Sequence, residues 1–246
     1  MSSPDYDDAI EVTPGIYWIG FHDQLSGLHC NPYLLIDEEE AIIFDPGSIP
    51  DFPIVMRKVI NTVLPSMIST IIVNHQDPDV CGCLPVLEDV IDREDLVIAG
   101  HSVCLWLVRH YGTRSEMYAG DENDYRLTLR SGRPLEFIFT PHLHSPGAMA
   151  TYDPMTKSLF TGDLFGTASK NWSLFSDVDF PQSMSSWHLS VMPNGDHMRK
   201  GLEALETLDI DRILPQHGSV IEGDKVQEAF EYLKNLDIPD KQASDG

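Results

Sequence analysis

The chain is short of cations, of cysteine and of long apolar runs, and each shortage excludes something. It carries 16 Lys+Arg against 39 Asp+Glu in 246 residues, a formal net charge of −23. Nucleic-acid binding uses Lys and Arg to displace counterions from phosphate, so this acid excess argues against a nucleic-acid partner. The same field repels polyanionic substrates and anionic membrane surfaces. The densest basic stretch, Arg109, Arg114, Arg126, Arg130 and Arg133, is interleaved with acids. No apolar run approaches the length of a membrane span. Met1 to Asp8 is acidic and polar, unlike a secretory signal or a transit peptide. Of the four cysteines, Cys30, Cys81, Cys83 and Cys104, two stand one residue apart, a poor geometry for a mutual disulfide. They read as reduced thiols in a cytoplasmic protein. There is no Gly/Ser linker, no obvious repeat and no glycine-rich phosphate loop.

What is present is a globular composition, 42% hydrophobic, in a length that buries a full core. Short β-branched and aromatic runs open the chain at 15–20, 32–36 and 41–45. The last two flank Asp37-Glu38-Glu39-Glu40, read as a solvated hairpin turn. Phe52 to Leu64 has helical spacing, and 70–74 and 96–99 are buried-strand patterns separated by a helix at 84–90. A helix over 103–110, a strand over 135–140, a hairpin around Asp153-Pro154, a helix over 196–208, a strand at 212–214 and a helix over 226–236 complete the pattern. Two halves that each begin with strands and end with helices predict an α/β fold of four layers, helix–sheet–sheet–helix.

Four buried-looking strands end directly in His or Asp: Val73-Asn74-His75-Gln76-Asp77-Pro78-Asp79, Thr140-Pro141-His142-Leu143-His144, Phe160-Thr161-Gly162-Asp163 and Leu214-Pro215-Gln216-His217. Strand ends of a layered fold bring distant side chains together on rigid supports. Three imidazoles (His75, His144, His217) and three carboxylates (Asp77, Asp79, Asp163), with no thiolate, suit Fe, Mn or Zn. Six donors exceed one tetrahedral ion, so two metals are the natural reading. His75, Asp77 and His144 form a 2-His-1-carboxylate set that favours non-haem Fe(II). Asp79 and His217 would hold a second ion, with Asp163 bridging. Two ferrous ions against three aspartates and a bridging hydroxide sum to zero.

These motifs resemble the metallo-β-lactamase superfamily, and within it the diiron domain of flavodiiron proteins. The superfamily's first motif is commonly His-x-His-x-Asp-His; flavodiiron proteins have His-x-Glu-x-Asp, and this chain has His75-Gln76-Asp77-Pro78-Asp79. Asn31-Pro32-Tyr33-Leu34, Leu143-His144-Ser145-Pro146, Thr151-Tyr152-Asp153-Pro154, Leu159 to Gly166 and Pro215-Gln216-His217-Gly218 match in order, over about 12–221. The resemblance implies a four-layer αββα sandwich of the metallo-β-lactamase type, filling 1–246 as a single diiron domain. It implies two iron ions, oxo-, hydroxo- or peroxo-bridged, held by His75, Asp77, Asp79, His144, Asp163 and His217. It also implies chemistry with O2, and with NO as a further candidate, rather than hydrolysis.

Departures sharpen this. Asp77 is one methylene shorter than the family's Glu. Val80 stands where hydrolases place a His ligand, which counts against the alternative of a metal-dependent hydrolase. The segment from His22 to Asn31 is shorter than in flavodiiron proteins, and His22 or His29 is a candidate to line the site. No FMN is expected on this chain, because no flavodoxin-like domain follows Leu236. Two ferrous ions supply two of the four electrons that reduce O2 to water. The chain therefore resembles stand-alone oxygen-binding diiron proteins, either a sensor with a signalling partner or a reductase with an external electron donor. Homodimers are common for such proteins, so a homo-oligomer is the expectation.

Overall fold

A computed structural model describes residues 5–23, 25–176 and 179–240; Met1 to Pro4 of the acidic N-terminus lie outside the described residues. Among the described residues, thirteen strands form two sheets. The first sheet runs in spatial order β1 (Ile10–Thr13), β2 (Ile16–Trp18), β3 (Tyr33–Asp37), β4 (Glu40–Phe44), β5 (Ile68–Ile72), β6 (Val97–Gly100) and β7 (Glu116–Ala119). The pairs up to β4 are antiparallel and those beyond it parallel. The second sheet runs β13 (Ile221–Glu222), β12 (Arg212–Leu214), β11 (Ser158–Phe160), β10 (Met149–Asp153), β9 (Pro134–Phe139) and β8 (Arg126–Thr128).

Period-two alternation sorts the strand side chains between layers. Leu34, Ile43, Ile71 and Ile98 face helices α1 (Phe52–Thr62), α3 (Leu84–Ile91) and α4 (Ser102–Val108), through Val59, Leu87 and Leu105 among others. Leu35, Ile42 and Ile72 face the other way and meet Phe137, Phe160 and Leu214 of the second sheet. Across this inter-sheet core the rings of Phe44 and Phe160 stack 3.7 Å apart. Ala150, Leu159 and Ile213 face α5 (Met184–Val191), α6 (Gly195–Leu205) and α7 (Asp224–Lys234) through Met184, Leu202 and Phe230. This is the expected αββα sandwich. Among the described residues, no helix is long and apolar enough to cross a membrane.

One sequence expectation is overturned. The turn between β3 and β4 is not simply solvated: Asp37 and Glu40 are buried, and only Glu38 and Glu39 face water. Asp37 pairs with Arg133 at 3.3 Å and accepts from Ser131 Oγ. Glu40 accepts from Ser69 Oγ at 2.6 Å and from the Arg130 backbone N–H. The arginines are likewise tied to acids, Arg114 to Asp89, Arg126 to Glu136 and Arg130 to Asp95, so the interleaving seen in the sequence persists in space.

Candidate metal centre

All four strand-end motifs meet at one end of the sandwich. β5 delivers His75, and the short helix α2 (Pro78–Cys81) begins immediately after Asp77. Asn74 sets this segment. Its backbone N–H and side-chain amide donate to the two oxygens of Asp45 at 2.8 and 2.7 Å, and its side-chain carbonyl accepts from Thr151 of β10 at 2.9 Å. Asn74 thus joins both sheets directly beneath the first motif. Gly162 packs beside Asn74 and His75, where its φ of +56° favours glycine. Thr161 Oγ1 donates to Leu164 O at 2.7 Å and braces the Asp163 loop.

The donors fall into two groups about Asp163. Donor atoms of His75, Asp77 and His144 lie within 4.8 Å of one another. His144 Nε2 is 3.2 Å from Asp77 Oδ2 and 2.7 Å from Asp163 Oδ2. On the other side, His217 Nε2 is 3.3 Å from Asp79 Oδ2 and 3.4 Å from Asp163 Oδ1; Asp163 Oδ1 is also 3.4 Å from His75 Nε2. The floor of the site is buried (His75, Asp163, His217), whereas Asp77, Asp79 and His144 keep 32%, 37% and 26% of their side-chain surface and form an open rim.

Second partners orient the rings. His217 Nδ1 lies 3.0 Å from His29 O, which makes Nδ1 a donor and turns Nε2 toward the carboxylates. Trp187 stands edge-on to His217 with centroids 4.8 Å apart and donates its indole N–H to Asp163 O at 3.0 Å, so it covers the buried side of the site. His29 does not line the site with a free nitrogen: Nδ1 accepts from Asp23 N and Nε2 lies 3.0 Å from Ser169 O. His22 packs against Tyr6, His29 and Trp172, and His142 against His197; neither joins the donor groups. Cys81 and Cys83 are buried, and their thiols donate to backbone carbonyls of Gln76, Asp77 and Pro46. Val80 is buried in the helix-side core and brings no donor.

The residues fit a pair of divalent ions. Among the described residues, Asp163 Oδ1 and His217 Nε2 are buried without a hydrogen-bond partner, a costly state unless something binds them. A potential donor that sequence reasoning missed also stands here. The Sγ of Cys30 lies within 4.8 Å of the donor atoms of Asp79 and His217. Cys30 precedes the Asn31-Pro32 motif, but nothing in its spacing to His217, far along the chain, announces the contact.

Electrostatics show what holds the site without metal. Burial opposes the charge of Asp163, but the imidazoles of His75, His144 and His217 outweigh it and keep the carboxyl well below its usual range. The bond from His144 lowers Asp77. Burial alone would keep His144 neutral, yet Asp163 and Asp77 raise it to about 10; burial opposes the His217 charge too, and Asp163 and Asp79 raise it well above its ordinary value. A metal must displace those protons. At pH 7, loading is expected to release at least about two protons, one from each imidazole, and the affinity for each ion to rise at least about tenfold per pH unit until His144 titrates. The sign follows from the raised values, since the protonated, metal-free form is favoured below them. Calorimetry in buffers of different ionisation enthalpy measures the release; fewer than about one proton would contradict protonated imidazoles.

Comparison with known proteins places the fold and the sequence. The chain resembles the nitric oxide reductase of Moorella thermoacetica, 26% identical over 239 residues that cover 89% of this chain and 58% of that one. It spans between about a third and three fifths of the length of the first curated relatives it matches. Its fold superposes on the flavodiiron protein of Giardia intestinalis with a TM-score of 0.84 at 24% identity, covering 95% of this chain and 60% of that one. It superposes on a peroxy diiron species of the chemotaxis sensor ODP with a TM-score of 0.78 at 21% identity, covering 94% and 95% of the two chains. Residues 28–218 match the ODP family beta lactamase, and the chain belongs to that family.

Proposed function

We propose that the chain is a non-haem diiron protein that binds and activates O2, with NO as a second diatomic ligand. His75, Asp77 and His144 would hold one iron, Asp79 and His217 the other, and Asp163 both. The observation that carries the reading is the convergence of these six donors from four separate segments upon two buried, unpartnered atoms, Asp163 Oδ1 and His217 Nε2. Ferrous ions bound there would supply reducing electrons to a neutral diatomic. The chain's own groups keep the imidazoles aimed: the His29 carbonyl fixes the His217 tautomer, and Asn74 anchors the His75 segment. The open rim at Asp77, Asp79 and His144 offers entry, while Trp187 closes the opposite side. The diiron-containing sensor and the nitric oxide reductase among its relatives support this reading over hydrolysis, as does Val80. The role we infer is that of a cytoplasmic oxygen binder, acting as a homo-oligomer toward a signalling protein or an external electron donor.

The test is anaerobic loading with ferrous iron, metal analysis, and rapid mixing with O2 or NO. Two irons per chain and an iron-dependent optical change with O2 uptake are expected. Zinc retention with ester turnover, or an iron-loaded protein inert to both gases, would refute the proposal.

A further inference from the structure

The two donor groups are unequal. The first has two imidazoles and a carboxylate of its own; the second has one imidazole, His217, and one carboxylate, Asp79. Val80, next to Asp79 in the chain, is apolar and fully buried. We propose that the Cys30 thiolate completes the second metal position, so that this centre is held by carboxylate, imidazole and sulfur. The inference rests on the metal-centre reading above and extends it to a residue that reading does not use.

Three observations carry it. The Cys30 sulfur, the Asp79 carboxylate and the His217 imidazole offer one ligand atom each within 4.8 Å of one another. His217 is fully buried, and its Nε2 is unpartnered among the described residues. The position of Cys30 is fixed by backbone, not by chance packing. Cys30 pairs with His217 as an isolated antiparallel bridge, and the next residue, Asn31, donates its N–H to Gln216 O at 2.8 Å. The Asn31 side chain donates to Pro215 O at 3.1 Å and Gly218 O at 2.7 Å, and accepts from Trp18 Nε1 at 2.8 Å. The same segment supplies the His29 carbonyl that sets the His217 tautomer. One stretch of chain, 29–31, therefore orients the imidazole and presents the sulfur beside it.

The chemistry is consistent. Without metal, Cys30 is a free, buried thiol. A coordinating cation deprotonates it outright; the S–H proton leaves to solvent as the metal–sulfur bond forms. With Cys30 the four anionic donors Asp77, Asp79, Asp163 and Cys30 balance two divalent ions, and the bridging hydroxide needed in the thiol-free accounting is no longer required. Sulfur also softens one position and leaves the other hard, which gives the two ions different metal preferences and different reduction behaviour.

The probe is Co(II) added anaerobically to metal-free protein. The wild type is expected to show near-ultraviolet sulfur-to-cobalt charge-transfer absorption that disappears in Cys30→Ser and Cys30→Ala. In both variants the weaker ion's Kd rises by at least about tenfold, the loss seen for mere supporting partners of ligands. X-ray absorption on the iron-loaded wild type needs no variant and should place a sulfur scatterer at roughly 2.3 Å, the usual metal–thiolate distance. A wild type that binds two ions with no sulfur signature, or a Cys30→Ser protein with an unchanged spectrum, overturns the assignment while leaving the diiron reading standing. Failure of the wild type to bind two ions would instead strike that reading, and with it this one.

Discussion

Asp163→Ala is expected to abolish binding at both metal positions together, raising each Kd by more than about a hundredfold, beyond what loss of a ligand's supporting partner costs. The reason is its place. One carboxylate lies between the two groups, with Oδ1 at 3.4 Å from both His75 Nε2 and His217 Nε2 and Oδ2 at 2.7 Å from His144 Nε2. Asp79→Ala, by contrast, should empty the second position and spare the first, because among the described residues Asp79 pairs with the His217 imidazole and with no other. Asp163→Asn separates charge from bulk: it keeps the side-chain volume and removes the anion. Metal analysis after anaerobic dialysis, beside circular dichroism to verify folding, reads all three. An Asp163→Asn protein that retains two ions at wild-type affinity would show that Asp163 is a structural neighbour and not a shared ligand. In the metal-free protein the same change should lower the pKa values of His144 and His217, since Asp163 contributes to raising both.

The layers and the six donors were legible in the sequence because both write themselves locally. A buried strand shows as an apolar run, and a strand end that carries chemistry shows as His or Asp immediately after it, as in Val73-Asn74-His75 or Thr161-Gly162-Asp163. Elements without that contrast went unread. β7 and β8 are edge strands with exposed or half-buried residues, α2 is a four-residue turn of helix, and α5 is nearly uniform around its axis. Long-range polar pairing was invisible too. Asp37 looks like any turn aspartate until Arg133 arrives from the other sheet, and Cys30 looks like a small core residue until the fold lays it against His217. In both cases the local pattern is uninformative because the partner, not the residue, defines the role. The reverse error is instructive as well. His29 invites assignment to the metal by type and position, yet backbone groups occupy both its ring nitrogens.

Arg133→Met should destabilise the protein by about 3–5 kcal/mol, the cost of breaking a buried ion pair from one side. Arg133 is buried with Asp37 and Asp153, and its guanidinium bonds Asp153 through Nε at 3.0 Å and through Nη2, and Asp37 through Nη1 at 3.3 Å. Methionine fills similar space but leaves two carboxylates in the interior without a cation. For a chain of this size the loss corresponds to a fall in Tm of roughly 6–20 °C. The cluster joins the end of β3 to the end of β10, so it clamps the two sheets at the end of the sandwich remote from the metal donors. Stability and site should therefore separate: the variant, once folded, should still bind two ions. Adding Asp37→Asn and Asp153→Asn should restore much of the stability, because a buried pair removed entirely costs far less than one left half-made. Asp153 keeps a second duty in the turn that follows, accepting from the N–H groups of Met155 and Thr156 at 3.2 Å, which an asparagine oxygen only partly replaces. Denaturant unfolding of the single and triple variants decides the matter. A loss below about 1 kcal/mol in Arg133→Met would mean that water reaches the cluster and that the sheets are clamped by apolar packing alone.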